Sequence, residues 1–175
     1  NTTAAAAIMS VYGNRNPEQV CGRGTGIDDE TLKKKASVIE KAIRLNRPGP
    51  DDPLDVLAKV GGFEIGGIAG VILGAAANKT PVVIDGLISG AGAVLAVKLE
   101  EKARDYIFTS HRSQEPGHQV CFEILGRPPL IDLEMRLGEG TGAALGINLI
   151  EAGVKIYSEM ATFQQAGVSE KSGSA

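Results

Sequence analysis

The chain has no tryptophan, and its four Phe and three Tyr leave aromatics at 4% of 175 residues. Sequence-tolerant binding of single-stranded nucleic acid needs aromatic platforms for the bases, which argues against that function here. Eighteen Lys and Arg against 21 Asp and Glu give a net charge of −3, so there is no basic field for a phosphate backbone and no acidic tail. Two cysteines, Cys21 and Cys121, are too few for a disulfide scaffold. One bridge between them stays open, with reduced thiols in a cytoplasmic setting the expected state. The longest apolar run, Ile65–Ala77, falls short of the ~20 residues that span a bilayer. No signal-peptide pattern opens the chain. It starts on Asn-Thr-Thr rather than Met and is expected to be a piece of a longer protein.

What the chain does have is glycine, 23 residues of it, in motif-like clusters rather than low-complexity tracts. Hydrophobic content of 43% suits a domain with its own core. The most concentrated cluster is Arg136-Leu137-Gly138-Glu139-Gly140-Thr141-Gly142-Ala143. Apolar residues at helical spacing follow it, so it reads as a tight turn feeding a helix. By spacing alone Glu139 is a helix-capping acid, favoured by the macrodipole. The alternative is a general base presented on a pinched turn.

Taken in order, Asn1, Thr2 and Thr3 open a helix that ends at Gly13-Asn14. Cys21-Gly22-Arg23-Gly24-Thr25-Gly26 is neither a Walker A loop nor a dinucleotide fingerprint. Its three glycines in five residues suit a phosphate cradle of backbone N–H groups. Asp28 and Asp29 cap a helix to about Leu45, on which Lys35 lies beside the apolar stripe and can turn toward the glycine loop. Helices are expected at Pro53–Val60, Phe63–Ala77, Leu87–Ala103 and around Gln119–Leu125. Gly62, Gly66, Gly70 and Gly74 line one face of the second, which predicts packing at backbone distance, in the core or between subunits.

Strands are expected at Pro81–Asp85, Asp105–Thr109 and Leu130–Leu133. Strand and helix in alternation predict an α/β fold with a parallel sheet. The loops after Asp85 and around His111–His118 then lie at strand C-terminal ends, where open α/β sheets bind ligands. His111, Glu115 and His118 are poorly spaced for a metal site. Ser113 beside Arg112 suits a phosphate better. Val168–Ala175 reads as a loose polar tail.

Together these motifs identify a family. Asn1-Thr2-Thr3-Ala4-Ala5, Gly22 to Glu30, Lys59-Val60-Gly61-Gly62-Phe63-Glu64-Ile65, Asp85-Gly86-Leu87-Ile88-Ser89, His111 to His118, Leu137 to Ala143 and Glu159-Met160-Ala161-Thr162-Phe163 follow one another in order. The chain resembles the C-terminal half of the nicotinate-nucleotide:dimethylbenzimidazole phosphoribosyltransferases, a family of cobalamin nucleotide-loop assembly. Cys21 departs from the usual Thr, as does Gly90-Ala91-Gly92 from the usual helix.

The resemblance implies a Rossmann-like three-layer α/β fold, a parallel sheet with helices on both faces, as part of a larger two-domain enzyme. Residues 1–157 would belong to the catalytic domain and 158–175 to a small helical domain. It implies a homodimer, and a partner in the absent N-terminal half of the same chain. The implied reaction moves phosphoribose from nicotinate mononucleotide to a benzimidazole base, with Glu139 as proton acceptor and no cofactor or metal. Asn1, Thr2, Gly24, Thr25, Gly26, Lys35, Asp85, Ser113 and Leu137 are the implied substrate-binding residues. Two other functions compete: a nucleotide- or base-binding module without turnover, and a structural role for the α-helical glycine face.

Overall fold

A computed structural model describes residues 1–24 and 26–168. Thr25 and the segment 169–175, which holds most of the expected loose tail, lie outside the described residues. The architecture is mostly helical α/β with small parallel sheets.

Helix α1 (Thr2–Gly13) and the four-residue α2 (Pro17–Val20) come first. The Asn16 side chain and Gln19 close a reciprocal capping box on α2. Helix α3 (Asp29–Asn46) begins where the Asp28 carboxylate accepts Thr31 N–H at 2.8 Å. Asp52 caps α4 (Pro53–Val60) in the same way, with Pro53 in its first turn. Then follow α5 (Phe63–Ala77), β1 (Val82–Ile84) and α6 (Leu87–Leu99). Helix α6 is buried on nearly every side, which is why its sequence is apolar all round rather than striped. It packs against α1, α5 and α7 (Pro116–Leu125), and these helices hold most of the core.

The expected helix Leu87–Ala103 stops at Leu99, because Glu101–Tyr106 tightens into a 3-10 turn. Arg104 reaches from that turn to the C-terminal carbonyls of α7, at Ile124 and Leu125. The second strand is therefore only β2 (Ile107–Thr109). Residues His111–Ser113, expected as loop, form a further strand, β3. The next strand is β4 (Ile131–Met135), slightly later than expected, and α8 (Thr141–Glu159) is the last regular element among the described residues.

Two parallel pairs result, β1 with β2 and β3 with β4. Ser110 is the seam between them. Its N–H donates to Ile84 at 3.2 Å, while its carbonyl accepts Ile131 N–H at 3.0 Å. The stretch Ile107–Ser113 thus pairs with β1 through its first half and with β4 through its second. A buried hydroxyl donates to the same Ile84 carbonyl at 2.7 Å, leaving the seam's polar groups satisfied.

Of the glycine face expected to pack on α5, Gly66 is closely approached, with a Cβ there 3.0 Å from Leu57 of α4, whereas among the described residues a Cβ at Gly70 or Gly74 would meet nothing within 4 Å. Phe63 and Val71 stand exposed on the same helix. The closer contact of α5 is made by Gly92 of α6, where a methyl would stand 2.5 Å from Ile68. Glycine spacing reports that a backbone is free for approach, and the neighbour's position decides which side is approached.

Candidate active site

After β4 the chain passes through Arg136 and Leu137 into three successive left-handed residues: Gly138 at φ 77°, Glu139 at 57° and Gly140 at 78°. Glycines take such angles without penalty, whereas Glu139 holds one at a cost of ~1–2 kcal/mol. The turn is tied down from outside. Asp85, at the end of β1, accepts Gly140 N–H at 3.2 Å and Ala143 N–H at 3.0 Å. Thr141 closes the turn by donating its hydroxyl to the Gly138 carbonyl at 2.7 Å. Both oxygens of Asp85 thus cap α8, and the Glu139 and Leu137 side chains are exposed, Leu137 at 73%.

Helix α8 lies directly on the sheet because two of its residues lack side chains. A Cβ at Gly142 would stand 1.7 Å from His111 Nδ1, and one at Gly146 would stand 2.8 Å from Ser110 Cβ. These are the only fully buried residues of its nineteen.

The glycine loop meets three other elements. Lys35 turns inward from α3 and donates to Thr2 Oγ1 and to the Gly22 carbonyl, both at 3.1 Å. Gly24 N–H donates to Glu115 Oε1 at 2.8 Å, so that amide of the expected cradle is engaged by the protein itself. Gly24 and Gly26 have φ of +54° and +116°. Arg23 turns away to pair with Asp29 and the Ile27 carbonyl. Arg136 points back to the loop, its Nη2 3.9 Å from where a Gly26 side chain would begin.

Ser113 sits at the end of β3, with its Oγ 2.9 Å from His118 Nδ1. The same nitrogen accepts Ser113 N–H at 3.2 Å, which makes it the unprotonated nitrogen of a neutral imidazole. Burial pushes the His118 pKa down to about 3, with His111 and Arg112 adding to the shift and Asp85 opposing it. His111 and His118 are both buried, packed edge to face with ring centroids 5.9 Å apart. They serve as core residues that hold Ser113 and seat α8.

The expected site residues therefore come together as linked segments. The start of α1 with Thr2, the glycine loop and Lys35 form one cluster. Ser113 joins it through Glu115, and Gln114 N–H donates to Met135 at the end of β4 at 3.1 Å. Asn1 caps α1 through its carbonyl, which accepts Ala5 N–H at 2.9 Å, and its side chain makes no capping bond. Asp85 is spent on the turn. Glu115, Arg136 and His118 were given no site role in the sequence reading. The signal available was their adjacency to Pro116, Leu137 and Gly117, which says nothing of contacts across 90 residues of chain.

A family model described as Phosphoribosyltransferase matches residues 1–168. The nicotinate-nucleotide:dimethylbenzimidazole phosphoribosyltransferase of Desulforudis audaxviator is 59% identical over 170 residues, 97% of this chain and 48% of that protein. The chain belongs to the nicotinate-nucleotide:dimethylbenzimidazole phosphoribosyltransferase family. The family's member from Geobacter metallireducens is 57% identical over 168 residues, 96% of this chain and 48% of its own length. The crystal structure of CobT from Thermus thermophilus superposes with a TM-score of 0.90 at 46% identity, covering 97% of this chain and 50% of that one. The chain spans about half the length of the curated relatives it matches.

Proposed function

We propose that this chain supplies the nucleotide-holding half of a phosphoribosyltransferase active site. The enzyme would move phosphoribose from nicotinate mononucleotide to 5,6-dimethylbenzimidazole, giving α-ribazole 5′-phosphate and nicotinate. The observation that carries the reading is the convergence of the glycine loop, Lys35 and Ser113 through Glu115, in a chain that also presents the exposed Glu139 on an anchored turn and is 59% identical to such an enzyme.

The chemistry follows from those parts. Lys35 and the start of α1 favour the phosphate of the nucleotide. One ring nitrogen of the benzimidazole attacks C1′ of the ribose, and the bond from C1′ to the pyridinium nitrogen breaks. The bonding pair goes to the pyridine ring, which leaves as neutral-ringed nicotinate. Glu139 takes the proton from the other benzimidazole nitrogen. Leu137 offers apolar surface to the flat base, and Asp85 holds the turn that carries both residues. No residue in this scheme calls for a metal or cofactor.

The wider organisation belongs to the same proposal. The two small parallel pairs are read as part of a larger sheet covered by helices on both faces. Residues 1–157 belong to the catalytic domain, and 158–175 contribute to a small helical one, in a homodimeric, cytoplasmic enzyme. The apolar residues left exposed on α5 and α8, among them Phe63, Val71, Val154 and Tyr157, support cover by the N-terminal half or a second copy. Among the described residues no helix is long and apolar enough to cross a membrane.

The test is an assay of nicotinate release with nicotinate mononucleotide and dimethylbenzimidazole, using the chain alone and the chain reconstituted with the N-terminal half of a relative. Turnover by the reconstituted protein, lost on Glu139→Gln, is the expected result. Nucleotide binding without turnover in that protein would make the chain a binding module.

A further inference from the structure

We propose that Glu115 is a positioning residue for the nucleotide, bracing the glycine loop against the Ser113 segment; this rests on the functional reading above. Its carboxylate spans two sides of one loop. Oε1 accepts the Gly24 amide at 2.8 Å, across 91 residues of chain. Oε2 occupies the place of a side chain at Gly22, where a Cβ would stand 2.0 Å away. Glycine at position 22 is thus the complement of the glutamate at 115.

Among the described residues the Oε2 atom is buried and has no hydrogen-bond partner. An unsatisfied carboxylate oxygen costs free energy, so stability alone does not select this arrangement. The backbone beneath it cannot drift. Pro116 opens α7 directly after Glu115, and Gly117 is pressed so close to the Val20 carbonyl that a Cβ would stand 2.9 Å from it. Glu115 N–H faces Ser113 Oγ at 3.4 Å. Lys35 grips the Gly22 carbonyl of the same loop at 3.1 Å. The loop is thus bonded by both an ammonium group and a carboxylate, and the carboxylate arm grows from the strand end that carries Ser113.

A brace acts through shape, so reach matters more than charge. Glu115→Gln keeps an oxygen acceptor at the same length. Glu115→Asp keeps the charge and loses the reach. Glu115→Ala loses both, and Gly22→Ala expels the carboxylate from its seat. In the reconstituted protein, Glu115→Ala, Glu115→Asp and Gly22→Ala should each raise KM for nicotinate mononucleotide about tenfold, equivalent to ~1.4 kcal/mol. Glu115→Gln should stay within about threefold, as a retained neutral hydrogen bond allows. Values of kcat and of KM for the benzimidazole should hold. The double variant Gly22→Ala/Glu115→Ala should be no worse than Glu115→Ala, since the clash has gone.

Tighter nucleotide binding in both Glu115→Ala and Glu115→Gln would overturn the brace and make Glu115 a repelling charge. Unchanged KM in all variants would overturn it outright, as would equal losses in kcat and both KM values. Absence of nucleotide binding by the unsubstituted protein would instead overturn the functional reading. The Gly24 amide then decides the brace by NMR. Loss of its low-field proton shift in Glu115→Ala, with retention in Glu115→Gln, supports it, and an unmoved shift overturns it.

Discussion

Gly142 lies so close over His111 that a single methyl group would stand 1.7 Å from the ring nitrogen Nδ1. His111 is 1% exposed and has nowhere to go. Gly142→Ala should therefore lift α8 from the sheet and destabilise the chain by ~1–3 kcal/mol, as overpacking does. Gly70→Ala is the contrast. It adds a methyl group to open space on α5, and the gain in helix propensity should stabilise by up to ~1 kcal/mol. Thermal melts of the two variants should move in opposite directions.

Asp85 joins the end of β1 to the start of α8 through two amide hydrogens. Asp85→Ala removes both acceptors and should cost ~1–2 kcal/mol, the range for loss of a helix cap. Hydrogen exchange should quicken at Gly140 and Ala143 while the core amides of α6 stay protected. Unchanged exchange at those two amides would mean that the turn holds itself.

Glu139 combines a left-handed backbone with an exposed side chain. If its carboxylate is the proton acceptor, Glu139→Gln should lower kcat by ~10²–10⁴-fold in the reconstituted enzyme and leave nucleotide affinity intact. Glu139→Gly should abolish turnover in the same way and raise stability by ~1 kcal/mol, because glycine carries no penalty at φ 57°. A stabilised, inactive variant would separate the two roles of the position. A destabilised variant with near-normal kcat would remove Glu139 from the mechanism.

His118 gives the chain a pH dependence of definite sign. Burial holds its folded pKa at about 3, against an ordinary value of 6.5. Between these values the unfolded chain binds more protons, so this contribution is fully present above pH 6.5 and is lost as the pH falls toward 3. The slope should reach at most ~1.4 kcal/mol per pH unit. Asp28, Asp55 and Glu101 have lowered pKa values, held down chiefly by hydrogen bonds, and lose their contributions only at lower pH. Urea midpoints measured from pH 7 to 5 should therefore fall for the wild type. They should fall less for His118→Asn, which keeps an acceptor for Ser113 and does not titrate in this range.

Legibility differed by kind of residue. Helix starts were readable because a cap acts within three or four residues, as at Asp28 and Asp52. The inward turn of Lys35 was readable because it borders the apolar stripe of its own helix. The strand His111–Ser113 was not, since it carries two polar residues and a histidine, and its ladder partner lies twenty residues later. Asp85 was read toward substrate from its place at a strand end. The fold turns it to α8, whose start lies 55 residues further on.

The sequence by itself determined the family, most helix boundaries and the presence of an acid on a glycine turn. These rest on local backbone chemistry and on motifs contiguous in the chain. Only the tertiary structure decided which glycines are approached, Gly22, Gly92, Gly142 and Gly146 rather than Gly70 and Gly74. It also decided that Glu115 reaches the glycine loop and that both histidines are buried. The physical reason is that close approach and hydrogen-bond partnership depend on two surfaces at once, and the second surface comes from a distant part of the chain.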